Sequence, residues 1–452
     1  MSNNELSRRD FCKGAAAGLV GILASGAAPS LYAAGANSKI RVACVGYSDR
    51  FRETLLPCFL GHSEKMGFEM VAVADLWKKR LFEKAVPEIS KKVGHDVKAY
   101  RSDVELYEKG KDIDAVIIST ADFQHARHAV RAVEAGKDVY CEKPMAEDMR
   151  SANLLLDAVE AKRKAGFAPG AVLQIGSQRR SGNAYHAAKQ YLESGKFGKL
   201  TYVDLCWNVN QSRRWRRDEK LVKSLVKEDI DWNAWLLDRD PSEYEFDPRK
   251  YLEFRLFWPF SSGIPGQWMC HQIDTVGWFT GLKYPLSAVA SGGIYAWNDG
   301  RQSFDTFTTI LEYGPSKLND KGFQAVFSSR QTNQERGNVE RYYGPQCVID
   351  LCRGSYTNYK TRKGGKLTEN YQAAETAANT GADKLTSAHM YNWMKCIKDR
   401  KNPNAPVEAG YGHTVALVMS NAACRTGMKA TFDEKSRQVM VDGKPWIGYK
   451  AV

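Results

Sequence analysis

Short apolar runs alternate with stretches of helical period across the first third of the chain. The runs are Lys39-Ile40-Arg41-Val42-Ala43-Cys44-Val45-Gly46, then Phe68 to Asp75, then Asp114 to Thr120. Each is continuous rather than alternating, as expected of parallel strands buried on both faces. Helical segments separate them, the last running from His125 to Ala135. A fourth run, Asp138 to Cys141, follows Gly136 and stops at Glu142-Lys143-Pro144. Proline has no N–H for a sheet ladder, so the chain must leave the sheet where Lys143 stands. Ligands of open α/β sheets bind outside the carboxyl ends of the strands, which makes Lys143 a candidate for substrate contact.

Strands alternating with helices predict a doubly wound parallel sheet over residues 37–165. After Gly166 the runs lengthen and alternate, as in Leu200–Trp207, Thr306–Tyr313 and Gln324–Ser329. That pattern fits a sheet with one covered face in a second domain, 166–452. Residues from about 357 to 386 are polar and rich in Ala, Thr, Lys and Gly, which predicts an exposed insertion or lid of low order.

The first 36 residues are an address. Ser7-Arg8-Arg9-Asp10-Phe11-Cys12-Lys13 is a twin-arginine region, followed by an Ala/Gly/Leu-rich stretch to about Ala34. With Pro29 inside it, that stretch is too weakly apolar for a stable membrane span. The expectation is export to the periplasm, with the mature chain starting near Asn37.

The net charge of +13 raises nucleic acid as a partner, but the positive residues are scattered. The densest cluster, Arg213-Arg214-Trp215-Arg216-Arg217, is expected to be a solvated loop, and an anionic sugar or polysaccharide is a better partner than nucleic acid. Ten cysteines, one in the signal, show no C-x-x-C pair. They are expected to be small buried hydrophobes, with no metal site.

The turn after the first strand is irregular for a dinucleotide site. Gly46 is followed by Ser48 and Phe51 where a phosphate-binding fingerprint has two further glycines. Asp49 beside it opposes an anion. Asp75, 29 residues beyond Gly46, is placed to bind an adenosine ribose.

Two longer stretches carry a resemblance. Thr120-Ala121-Asp122-Phe123-Gln124-His125 and Ala135 through Ala146, with Glu142-Lys143-Pro144 at its heart, resemble the Gfo/Idh/MocA family. Family members carry Thr-Pro-x-x-x-His and then Glu-Lys-Pro in this order, and here Ala121 replaces the Pro. The similarity continues through Gln174–Arg180, Asp231–Leu236 and Gly266–Asp274, and more faintly through Glu408–Gly427. The resemblance implies an N-terminal Rossmann domain and a C-terminal α+β domain on a large, mostly antiparallel sheet. It implies NAD or NADP as cofactor; NAD is favoured, and export, away from any free NAD pool, makes a tightly held cofactor the expectation. Thr120, Asp122, His125, Glu142, Lys143 and Pro144 would then join Gly46, Ser48 and Asp75 around that cofactor. A sugar or cyclitol would be the substrate and a dimer or tetramer the assembly.

Gln267, His271 and Asp274 fall at i, i+4 and i+7, on one face of a helix. In the family the position of Gln267 is commonly Asp and that of His271 is the catalytic His. A histidine of near-neutral pKa can take a hydroxyl proton as hydride leaves the same carbon, while Lys143 holds the oxygen. Asp274 is the candidate to orient His271. Trp207, Asn208, Arg180 and Arg213 are candidates for the sugar side of the pocket.

Three functions fit these residues. One is an NAD(P)-dependent sugar or glycoside dehydrogenase. A second is a redox-neutral glycoside-cleaving enzyme working through a keto-sugar. The third is a non-catalytic carbohydrate-binding relative.

Overall fold

The computed structural model describes residues 39–166, 171–345, 347–353, 355–359, 366–370 and 383–448. The expected signal segment, 1–36, lies outside them, as do residues 360–365 and 371–382 of the expected insertion.

Six strands form the first sheet: β1 (Ile40–Val45), β2 (Phe68–Ala74), β3 (Lys98–Tyr100), β4 (Ala115–Ile118), β5 (Asp138–Cys141) and β6 (Leu173–Ile175). Their order is β3-β2-β1-β4-β5-β6 and every pairing is parallel. This is the order of a doubly wound dinucleotide-binding sheet. Val42 and Cys44 of β1 point into one core with Phe51, Leu55 and Phe59, while Ala43 and Val45 point into the other with Ala129 and Leu155. Double burial is why these strands read as unbroken apolar runs.

The expected boundary at 165 shifts. β6 lies beyond Gly166, and the helix Lys384–Asp399 sends Met390, Trp393 and Ile397 into the core against β1 and β2. A three-residue strand carries too little period to be legible, and the returning helix joins the first sheet only through tertiary packing.

The second sheet has eleven strands. They are β7 (Tyr202–Trp207), β8 (Ser287–Gly293), β9 (Thr306–Tyr313), β10 (Phe323–Arg330), β11 (Asn338–Tyr343), β12 (Cys347–Asp350), β13 (Ser355–Tyr359), β14 (Lys366–Asn370), β15 (Ala430–Asp433), β16 (Gln438–Val441) and β17 (Lys444–Pro445). The order is β14-β13-β12-β11-β7-β10-β9-β8-β15-β16-β17, antiparallel throughout except for β7 against β10. The expectation of low order from 357 onward fails at both ends. β13 and β14 pair residue for residue from Ser355↔Asn370 to Tyr359↔Lys366, and Asp383 caps a helix by accepting from the Thr386 N–H. Backbone pairing to a neighbouring strand organises a polar segment that composition alone marks as loose.

The helix Val407–Thr426 is buried along most of its length between the two sheets. A Cβ at Gly410 would lie 2.6 Å from Met145 Sδ and 2.9 Å from Ile175 Cγ1, so only glycine admits the helix this close to the first domain. Among the described residues no helix is long and apolar enough to cross a membrane.

Trp393 is fully buried where the returning helix meets the first sheet, packed on Phe68 and Tyr140. Trp393→Ala is expected to cost about 3–5 kcal/mol of stability, read from the urea midpoint at unchanged m-value.

Candidate active site

A cleft of about 1120 Å³ runs along the carboxyl ends of β1, β2, β4 and β5 and is closed on the other side by the second domain. It exceeds the usual volume of a single small-ligand pocket, roughly 300–1,000 Å³.

At one end the chain leaves β1 through Gly46, at φ +88°. A Cβ there would lie 2.9 Å from the Ser119 carbonyl oxygen and 2.7 Å from Thr120 Cγ2, so the approach of two strand ends requires glycine. The Ser48 hydroxyl pairs with that of Ser119 at 2.6 Å and accepts from the Phe51 N–H at 3.2 Å. Phe51, in the place of a fingerprint glycine, is a fully buried core residue. Asp49 does not oppose an anion as its sequence position suggests. Burial pushes its carboxyl up, but Arg217 and Arg52 outweigh this and hold it below the usual range.

Asp75 lines the cleft at the end of β2, with its oxygens already engaged. Its Oδ2 accepts the Tyr47 N–H and its Oδ1 the Trp77 N–H, both at 2.9 Å, and the Arg80 guanidinium binds both oxygens. A ribose hydroxyl would have to share this carboxylate with Arg80. Thr120 is better placed to receive one: it lines the cleft, and its Oγ1 is buried without a partner among the described residues. The Gly46 cradle and this hydroxyl suit the oxygens of a nucleotide.

The other end is built on β5. Glu142 is buried and accepts from Arg50 Nε at 2.9 Å. His125 ties the two signature turns together, with Nδ1 2.8 Å from the Pro144 carbonyl and Nε2 3.3 Å from that of Thr120. Lys143 reaches across the domain seam and donates to the Gln267 carbonyl at 2.8 Å. The Gln267 side chain donates in turn to Asp122.

His271, one turn further along that helix, lines the same cleft as Lys143 and lies 5.7 Å, ring to ring, from Trp207. Burial first, then the charges of Lys143, Arg179 and Arg50, drive its pKa well below 6.5. The imidazole is therefore neutral near pH 7, rather than poised at its own midpoint. Lys143 and His271 thus present an ammonium and a neutral ring nitrogen to one space, as removing a proton from a hydroxyl requires.

Residues 40–169 match the Gfo/Idh/MocA family model, described as an oxidoreductase family with an NAD-binding Rossmann fold. The first domain is thus similar to the NAD-binding Rossmann domains of that family. Inositol 2-dehydrogenase of Salmonella typhimurium is 29% identical over 175 residues, 38% of this chain and 48% of that one. The Serratia proteamaculans enzyme of the same name is 32% identical over 146 residues, covering 32% and 41%. The chain thus spans about half the length of the curated relatives it matches. Among solved structures, levoglucosan dehydrogenase in complex with NADH and L-sorbose superposes at TM-score 0.64 and 15% identity, covering 88% of this chain and 100% of that one. The WlbA dehydrogenase of Bordetella pertussis, in complex with NADH and UDP-GlcNAcA, gives 0.61 at 16%, covering 87% and 99%. These likenesses show a shared fold over both domains.

Several expected contacts are not with the cleft. Asp122 is fully buried and accepts from Arg255, Ser261 and Gln267, so it ties the domains instead of meeting a cofactor. Pro144 does not line the cleft, and its carbonyl serves His125. Asp274 does not orient His271. It holds Arg180 Nε at 3.0 and 2.8 Å, and neither member of that pair lines the cleft. Asn208 spends its amide on the Glu335 carbonyl and the Arg330 N–H. Arg213 is exposed and turned to the Arg217 carbonyl.

The remaining arginine cluster is no solvated loop. Arg214, Trp215 and Arg217 line the cleft, and Arg216 pairs with Glu253. Trp77, Arg80, Tyr251 and Trp268 also line it without having been expected there. Trp268 lay inside the Gly266–Asp274 stretch and was open to notice. The others depend on pairings between distant segments.

A Gly46→Ala variant is expected to keep the far-UV spectrum of the parent while NAD(H) binding, measured by calorimetric titration, is lost or weakened at least tenfold. The added methyl meets backbone, which cannot swing aside.

Proposed function

We propose that this protein is an NAD-dependent oxidoreductase moving hydride between a ring carbinol carbon of a sugar or glycoside and nicotinamide. The observation that carries this is the convergence of Lys143 and His271, from different domains, on a cleft whose far end is the Gly46 turn. The relatives' names point the same way, since inositol and levoglucosan are polyhydroxylated rings.

Bound nicotinamide supplies the hydride acceptor. Lys143 Nζ holds the substrate hydroxyl oxygen, and a ring nitrogen of His271 takes its proton as the carbon is oxidised to a ketone. In the reverse direction His271 returns the proton to the carbonyl oxygen. NAD is favoured over NADP, because Arg80 spends its guanidinium on Asp75 rather than on a 2′-phosphate.

The segment from 210 to 260 of the second domain forms a strap along the nucleotide end. Arg217 pairs with Asp49, Arg80 donates to Tyr251 Oη at 3.0 Å, and Trp77 bridges to Ile230. Such a strap favours a cofactor that stays bound through the cycle, and with it a second reading. In that reading the ketone labilises the neighbouring glycosidic bond and the hydride is then returned. The twin-arginine segment adds export to the proposal, where a retained cofactor is an asset. The open face of the large sheet, with Val289, Thr308 and Glu312 exposed, is offered as the surface of a homo-oligomer.

Purified protein is expected to release NAD(H) on denaturation, detected by mass spectrometry. Protein that carries none and binds none when it is added would end both enzyme readings. With a glycoside panel, net NADH supports the dehydrogenase and free sugar without NADH supports the redox-neutral cycle.

Lys143→Ala is expected to lower kcat on the order of 10²–10³-fold. Protonation of His271 removes the base, and its pKa lies below 6.5, so the rate plateau should persist at pH 6.5 and fall only in more acid solution. A midpoint at or above 6.5 would remove His271 from the role.

A further inference from the structure

Most arginines of the cleft are neutralised. Arg50 pairs with Glu142, Arg80 with Asp75, Arg131 with Asp103, Arg217 with Asp49, and Arg255 with Asp122. Arg214 is the exception. It lines the cleft half-buried and donates from Nη1 to the Gln211 side chain at 2.6 Å. It has no carboxylate partner among the described residues, and its Nε is buried with no acceptor. Burial, followed by the charge of Arg255, holds its pKa below the usual value, as expected of a cation without a counter-ion.

Its surroundings are aromatic. The guanidinium carbon lies 5.4 Å from the Trp268 ring centre, and Trp268 stacks on Trp207 at 6.1 Å and 14°. Trp215 lies 5.8 Å from Trp268 with its ring tilted by 35°, and Trp207 continues the wall to His271. The ring under Arg214 explains where the guanidinium rests. It does not explain why a buried donor is left without an acceptor beside a cleft. A guanidinium has five N–H donors in a planar fork, a shape matched by a carboxylate or a sulfate ester.

We propose that Arg214 and the Trp207–Trp268–Trp215 wall form a subsite for a carbohydrate bearing an anionic substituent, a carboxylate or a sulfate ester. The sugar lies along the half-buried Trp207 and Trp215, with Trp268 behind them, and the anion meets the cleft-facing part of the Arg214 guanidinium, a cation with no carboxylate partner among the described residues. This rests on the carbohydrate reading of the site above.

The test is a tryptophan-fluorescence and calorimetric titration of the full chain with methyl glucuronide, methyl glucoside 6-sulfate and methyl glucoside. At least one anion is expected to bind roughly tenfold or more tighter than the neutral sugar, with the preference shrinking as salt rises. Preference for the glucuronide alone identifies the carboxylate, and preference for the sulfate alone the ester. Arg214→Gln should abolish the preference and Arg214→Lys retain part of it, each variant being checked for parental circular dichroism. Equal affinities in the parent, no binding of either anion, or full preference in Arg214→Gln would overturn the proposal. Because binding is read without turnover, anion preference with no hydride transfer to any sugar refutes the oxidoreductase reading alone. Hydride transfer with no anion preference refutes this subsite alone.

Discussion

One fully buried carboxylate holds the two halves of the site in register. Asp122 sits in the turn after β4 and accepts from Arg255, from the Ser261 hydroxyl and from the Gln267 amide, all contributed by the second domain. A carboxylate at zero exposure is costly unless its oxygens are satisfied. Here every donor named comes from across the seam, so the charge is tolerable only while the domains are docked. Gln267 is the hinge of the arrangement, since its side chain answers Asp122 while its carbonyl receives Lys143. His271 then follows one turn along the same helix. The geometry of Lys143 against His271 is thus inherited from a contact that touches neither side chain.

What was legible in the chain follows the same division between local and distant. β1, β2, β4 and β5 announce themselves because burial on both faces leaves unbroken apolar runs. Glu142-Lys143-Pro144 is legible because the proline ends a strand with a lysine in hand. Asp122, Asp75 and Asp274 are legible as acids at interesting positions, but their roles are decided by Arg255, Arg80 and Arg180, which no local pattern connects to them. The arginine cluster fails for the same reason. Four arginines around one tryptophan look solvated until Asp49, Glu253 and the face of Trp268 are brought to them from three other segments.

The charges of the cleft also explain why the His271 imidazole is kept neutral. Lys143 beside a buried imidazole makes the doubly charged state unfavourable, and burial adds to this. The cost is a weaker base, since a lowered pKa reduces the driving force for taking a proton. In the proposed reaction an ammonium against the substrate hydroxyl lowers that hydroxyl's pKa as well, so donor and acceptor move down together. An amide rather than a carboxylate at position 267 fits this scheme. An acid there would pair with Lys143 or raise His271, whereas the Gln267 carbonyl positions the ammonium without cancelling its charge.

The irregular nucleotide turn can be understood by asking what each fingerprint glycine is for. The first provides a left-handed bend where two strand ends touch, and Gly46 keeps that property. The second lets backbone approach a pyrophosphate, and a small residue such as Ser48 partly preserves that approach, at the cost of an N–H group that its hydroxyl captures. The third gives close helix–strand packing, a demand that belongs to the protein interior and not to the ligand. Phe51 meets it differently, by filling the space between helix and sheet with a ring packed among Leu55, Phe59 and Val42. The departures at Ser48 and Phe51 therefore weigh unequally. Only Ser48 bears on the phosphate, and the neutralisation of Asp49 by Arg217 and Arg52 offsets it by cancelling a nearby repulsive charge. The Arg217 part of that neutralisation comes from the strap, so in the proposed reading the weakened turn and the segment lying over it hold a dinucleotide together.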